Sequence, residues 1–200
     1  DPFIANARDL RLRLIAADGR EAEALAEAQR LAQGPGATAA LWARTADLLS
    51  ELERHGEAAE AYARALALRT ADDTTSEWGL WLQRGASLDR AGDWPAAREA
   101  LRRAYALAPQ EPIVLNYLGY AQLIRREAVE EAERLIREAH RLAPNNGAIT
   151  DSLGWALFLA GRREEALPLL EQAAQAEPAD TEINEHLGDA YYTIGRRSEA

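Results

Sequence analysis

The sequence predicts an all-α fold of stacked helix-turn-helix units, and three observations carry that prediction. First, a phrase recurs at a period of about 34 residues, the signature of a repeat array. Leu153-Gly154, Gly161-Arg162-Arg163-Glu164-Glu165-Ala166, Ala173 and Pro178 are followed one period later by Leu187-Gly188 and Gly195-Arg196-Arg197-Ser198-Glu199-Ala200. Gly85, Gly92, Ala97, Ala104 and Pro109 carry the same spacing upstream. Second, Ala, Leu, Glu and Arg, the strongest helix formers, dominate the chain, whereas Val and Ile, which favour sheets, are scarce. Third, apolar residues recur at a helical period: Ile149, Leu153, Ala156, Leu157 and Ala160 in one segment, and Ala166, Leu169, Leu170, Ala173 and Ala174 in the next.

Aligning the turn glycines places units at 5–38, 42–75, 78–111, 112–146 and 147–180, with a half unit at 181–200. Each full unit holds a helix A and a helix B. Gly19, Gly56, Gly92, Gly161 and Gly195 are expected in the tight turn between them, because glycine accepts the positive φ that ends many helices. Pro109, Pro144 and Pro178 stop the B helices, since proline lacks the N–H needed to continue one. Pro168 lies just past the first turn of its helix, where the lost hydrogen bond is tolerated or bends the helix mildly. Gly154 and Gly188 recur in mid-helix at a cost of about 1 kcal/mol relative to alanine, which implies close helix packing.

Three departures mark the variation along the array. The fourth unit turns at Arg125-Arg126-Glu127-Ala128, with no glycine and one extra residue. The first two units carry Arg11-Leu12 and Leu48-Leu49 where later units have Leu-Gly. The joint Arg69–Glu77 is long and rich in Asp and Thr. The domain reading is therefore two divergent units in 1–75 and three to four units in 76–200, ending in a truncated half repeat. Together they are expected to form one continuous solenoid, with 69–77 as the candidate for a loop, a hinge or a slight break.

The bulk numbers exclude several classes of function. A net charge of −10 argues against nucleic acid, whose binders present a basic face. It suits a soluble protein with a basic partner. All 23 basic residues are Arg, and neither Met nor Cys occurs, so disulfides and thiol catalysis are excluded. No apolar run is long enough to cross a membrane, and no signal peptide is visible. The chain begins without Met and stops inside a repeat, so it is expected to be a piece of a longer protein.

Taken together, these residues resemble the tetratricopeptide repeat (TPR) family over essentially the whole length. The unit at 147–180 matches best, with Leu153, Gly154, Leu157, Gly161, Ala166, Leu170, Ala173 and Pro178. Trp81, Gly85, Gly92, Ala97, Ala104 and Pro109 carry it in the third unit. The resemblance implies a right-handed α-solenoid whose A helices line a concave groove holding a peptide or a partner's helix. The segment from Ile149 onward resembles long bacterial TPR proteins, several of which are exported or lipid-anchored adaptors. The compartment is accordingly cytoplasmic or in the bacterial envelope, with the family leaning to the envelope.

Helical spacing then nominates the groove residues. If Thr150, Gly154 and Leu157 pack on neighbours, the stripe one residue on faces the groove: Asp151, Trp155 and Phe158. The equivalent positions are Asn116, Tyr120 and Leu123 in the preceding unit, and Glu185, Asp189 and Tyr192 in the next. Aromatic side chains beside polar ones are the usual makeup of a binding hot spot. The plainer alternative is that these rings only fill space between helices. The equivalent positions of the first three units (Asp9, Arg13, Ala46, Ser50, Leu82, Ala86) offer only Arg13 to a carboxylate, so a clamp for a partner's C-terminus is not expected.

Other chemistry is poorly supported. From Glu164 to Asp189 there are eight acidic residues and no Arg, which reads either as a solvated face or as a dock for a basic segment. Glu182, Glu185, His186 and Asp189 share a helix, but one His among carboxylates falls short of a metal site. His55 and His140 stand alone. Gly34-Pro35-Gly36 lacks the lysine of a phosphate loop, and no G-x-S-x-G occurs. The expected function is a protein-interaction scaffold or adaptor, not an enzyme, with no cofactor. The alternatives are a structural or self-association module that forms a homo-oligomer through its uncapped terminal repeat, and a regulatory adaptor of a bacterial envelope protease or assembly machine, which rests on family analogy.

Overall fold

The computed structural model describes residues 2–73 and 75–196, with side chains from Leu10 onward. Among the described residues all regular structure is helical: α1 (Pro2–Ala17), α2 (Glu21–Ala32), α3 (Ala39–Glu51), α4 (His55–Leu68), α5 (Glu77–Arg90), α6 (Trp94–Leu107), α7 (Pro112–Ile124), α8 (Val129–Leu142), α9 (Gly147–Leu159), α10 (Arg163–Ala176) and α11 (Thr181–Thr193). Odd-numbered helices are the A helices and even-numbered ones the B helices of the expected α-solenoid units. α6, α8 and α10 each stop two residues before Pro109, Pro144 and Pro178.

The helices begin where the sequence provides caps. Thr38, Asn146 and Asp180 accept hydrogen bonds from the backbone N–H groups of Leu41, Ile149 and Ile183 at 3.2, 3.0 and 3.1 Å, capping α3, α9 and α11. At the B helices a different device recurs. Arg20, Arg54 and Arg162 precede α2, α4 and α10 and form bidentate pairs with Glu23, Glu57 and Glu165 in the first turn. These glutamates also lie at the positive end of the helix dipole.

Each A-to-B turn closes in the same way. One residue adopts left-handed backbone, and the next N–H reaches back five residues: Arg20 to Ile15, Arg54 to Leu49, Asp93 to Leu88, Glu127 to Gln122, Arg162 to Leu157 and Arg196 to Tyr191, at 2.8–3.2 Å. Glycine fills the left-handed position at Gly19, Gly92, Gly161 and Gly195. The second unit corrects the sequence expectation. Gly56 lies within the first turn of α4, and Glu53 takes the left-handed position at φ 57°. In the fourth unit Arg126 takes it at φ 56°, and the extra residue Ala128 is also left-handed at φ 43°. The backbone bond pattern is kept where the glycine is lost, because it satisfies helix-end carbonyls whatever the side chain.

The chain divides into two compact units, 1–107 and 108–200. In the first, consecutive helices from α1 to α6 pack on one another. Its core includes Leu12, Leu25, Leu48, Tyr62 and Leu80, interleaved with buried alanines. The joint expected to hinge lies inside this unit, where α4 and α5 pack directly. Arg69 spans it, donating to the Thr75 carbonyl at 3.0 Å and meeting Glu77 at 3.4 Å. In the second unit each helix from α7 to α11 packs on the next, and α9 also touches both α7 and α11. The three A helices thus lie side by side, and Leu123, Ile136, Leu153, Leu157 and Ala166 form a core shared by α7, α8, α9 and α10.

The mid-helix glycines are contact points. A Cβ on Gly154 would lie 2.9 Å from Cγ and Cδ2 of Leu170, a fully buried side chain. One on Gly119 would meet the Ala132 carbonyl oxygen and the Ile136 side chain at 2.9 Å.

Candidate partner-binding face

The A-helix layer of the second unit has an unusual charge pattern. α7 carries no charged residue, α9 carries only Asp151, and α11 carries Glu182, Glu185, Asp189 and His186. No arginine lies on any of the three helices. The B helices differ, since Arg137 pairs with Glu133 and Arg141 with Glu138 on α8, and Glu165 of α10 is held by Arg162. The acidic run of the sequence divides only in part along this line, since Glu164 of α10 also has no ion-pair partner among the described residues. Glu165 has Arg162 and Glu171 has Arg196, but among the described residues neither Glu185 nor Asp189 has an ion-pair partner.

His186 organises the layer. Its Nδ1 lies 2.7 Å from Asp151 Oδ2, joining α11 to α9, and both side chains are buried. Its Nε2 lies 3.5 Å from the Tyr120 hydroxyl on α7. Tyr120 donates to Glu182, one turn before His186 on α11. The Trp155 ring stacks on the imidazole, with centroids 4.0 Å apart and planes 9° apart, and Phe158 stacks against Trp155 at 5.0 Å. Such ring pairs are worth about 0.5–1.5 kcal/mol beyond their buried area.

The electrostatics follow from burial. Burial pushes the Asp151 carboxyl above its ordinary range, the His186 imidazole pulls it part of the way back, and the charges of Glu182 and Asp180 push it up again. Asp151 Oδ1 is buried without a hydrogen-bond partner. Burial, then the bond to Glu182 and the charges of Asp151 and Glu185, raise the Tyr120 phenol, so it stays a hydrogen-bond donor. Both His186 nitrogens point at protein oxygens and Trp155 covers the ring, so the arrangement fixes ring positions and presents no activated nucleophile. Among the described residues no three His, Asp or Glu side chains converge as a metal centre would need.

An open pocket of about 610 Å³ adjoins this network through Trp155. Leu123, Ile124, Val129, Ala156 and Leu159 line it together with the charged Arg126 and Glu133. Ile124, Val129 and Leu159 are large apolar residues that remain exposed there.

The nine groove positions read from the sequence therefore fall into distinct environments. Tyr120, Trp155 and Phe158 are half-buried and share the ring cluster around His186. Glu185, Asp189 and Tyr192 are exposed on α11. Asn116 is half-buried, with its Oδ1 enclosed and without a hydrogen-bond partner. Leu123 and Asp151 are buried, the first in the core and the second on His186. In the first unit Ala46 and Leu82 are buried, Ser50 Oγ meets Ser87 Oγ at 3.5 Å, and Asp9 lies outside the described side chains. Sequence reading missed the role of His186. Its register equivalent one period earlier, Ser152, is buried, and that alignment is the signal that it faces a neighbour and not solvent. The exposed apolar trio of the pocket was also missed.

Comparison with known proteins gives consistent matches. Models of the tetratricopeptide repeat match residues 39–72, 82–147 and 157–200, well over half of the chain in total. The TPR repeat-containing protein PA4667 of Pseudomonas aeruginosa is 33% identical over 87 residues, which cover 44% of this chain and 15% of that relative. Among solved structures, a chain of the APC/C hetero-tetramer Cut9–Hcn1 aligns with a TM-score of 0.75 at 20% identity, over 90% of this chain and 35% of that one. YrrB, described as a TPR protein with an unusual peptide-binding site, aligns with a TM-score of 0.64 at 18% identity, over 92% of this chain and 88% of its own. At these identities the structural likeness concerns the fold.

Proposed function

The chain belongs to the tetratricopeptide repeat family, and from that premise we propose that it is a non-catalytic protein-interaction scaffold. In this reading the α7–α9–α11 face holds a peptide or helical segment of another protein. One observation carries the proposal: Trp155 lies half-exposed, lines an open pocket and stacks on His186 of α11, a helix with three carboxylates and no arginine. Rigid aromatic anchors flanked by polar groups are what hot spots are made of. The internal bonds of His186, Asp151 and Tyr120 hold those anchors in place before a partner arrives, which lowers the ordering cost of binding. YrrB, a protein of similar fold, is described as having a peptide-binding site, which supports a peptide as the kind of partner.

The test is the double variant Trp155→Ala/Phe158→Ala. It should lose capture of partners from the source organism while keeping the helical circular-dichroism spectrum of the parent. Capture that persists in the folded variant would place the binding site elsewhere.

A further inference from the structure

Resting on the scaffold reading, the geometry points to the class of partner: a basic amphipathic segment, seated with its apolar side chains in the Trp155 pocket and its Arg or Lys side chains on α11. Two features of the face select that occupant. The pocket has room for large apolar side chains, and its exposed wall residues Ile124, Val129 and Leu159 lie uncovered in water. An apolar surface of this kind is stabilised when a partner covers it. Beyond Trp155 the surface turns acidic. Glu185 and Asp189 are exposed and have no ion-pair partner among the described residues, and Glu182 is engaged only through the Tyr120 hydroxyl.

The acidic patch does not stand alone as an indicator. Asp151, with a side chain 6% exposed, is bonded to His186 through Oδ2 and keeps Oδ1 without a hydrogen-bond partner in the same cluster. A cation arriving at α11 offsets the charges of Glu182, Glu185 and Asp189, which no arginine on that helix balances. An acidic segment would add to them, and an apolar one would bury carboxylates without compensation. Complementarity of this kind fixes register and partner choice more than affinity alone.

A random-peptide phage library panned against the chain tests the inference without a known partner. The selected peptides should be enriched in Arg or Lys beside Leu, Ile, Phe or Trp. Their affinity should fall about fivefold or more in Glu185→Gln/Asp189→Asn, which removes two surface charge pairs. It should also fall in Ile124→Ser/Leu159→Ser, and remain unchanged in Glu164→Gln on α10. All of these positions are exposed, so each variant should keep the parent's thermal melt, which is measured alongside. Peptides that lack cations yet lose binding to Trp155→Ala would leave the scaffold reading standing and overturn this one. Cationic peptides indifferent to the α11 charges, or to both the pocket and the α11 variants, would overturn it as well. If no peptide engages this face, both readings fall.

Discussion

Adding one methyl group at Gly119 sets two energies against each other. In a helix interior, alanine is favoured over glycine by about 1 kcal/mol. Against that, the new Cβ would sit 2.9 Å from the Ala132 carbonyl oxygen, 2.9 Å from Ile136 Cγ1 and 3.1 Å from Leu135 Cβ. Overpacking a core contact typically costs about 1–3 kcal/mol. The carbonyl is backbone, so relief requires α8 to move away from α7 and the upper part of that range applies. The net expectation for Gly119→Ala is a loss of about 1–2 kcal/mol. With about 2–4 °C per kcal/mol for a chain of this length, the melting temperature should fall by several degrees. Gly56→Ala is the control. Gly56 is helical and exposed, and a Cβ there meets nothing within 4 Å, so this variant should gain about 0.5–1 kcal/mol. Urea unfolding followed by circular dichroism reads both. A Gly119→Ala protein as stable as the parent, with Gly56→Ala stabilised, would refute the close-packing explanation for the recurring mid-helix glycine.

Two further outcomes follow from the turns and from the buried acid. Arg126→Gly should stabilise the protein by about 1 kcal/mol, because Arg126 occupies left-handed backbone that costs an L-residue roughly 1–2 kcal/mol; an unchanged or lowered urea midpoint would contradict this. The Asp151 carboxyl is raised in the fold, chiefly by burial, so the folded state holds its proton more tightly than the unfolded chain does. Its contribution to stability is therefore fully present below the ordinary carboxylate range and is lost as pH rises through the raised value. The stability of the parent relative to Asp151→Asn should accordingly decline as pH rises from about 3.8 upward. Paired thermal melts across that window check the sign, and a relative stability that increases with pH would show that the bond to His186 outweighs burial.

The pairing of helices was legible because it rests on short-range rules: a fixed period, prolines two residues past helix ends, and glycine at left-handed turns. The turn of the second unit was not, because Glu53 carries a backbone conformation usually given to glycine while the nearby Gly56 spends its freedom inside a helix. The φ of Glu53 and the hydrogen bond from Arg54 back to Leu49 reveal which residue turns. The proposed binding face was partly legible. Trp155 and Phe158 fall on one stripe by helical spacing, and they do stack. Asp151 falls on the same stripe but is buried on His186, since adjacent stripes differ by a single step round the helix and the choice between groove and neighbour depends on a partner 35 residues away. The pocket depends on Ile124, Val129 and Leu159 converging from three helices, which no local pattern announces.

The central claim is that the α7–α9–α11 face meets the partner and the B-helix face does not. A photo-crosslinking amino acid placed in cells of the source organism at Tyr192, exposed on α11, and separately at Arg134, exposed on α8, tests it most directly. Adducts to another protein from position 192 and none from position 134 are predicted. Adducts from position 134 alone, or none from position 192, would contradict the account.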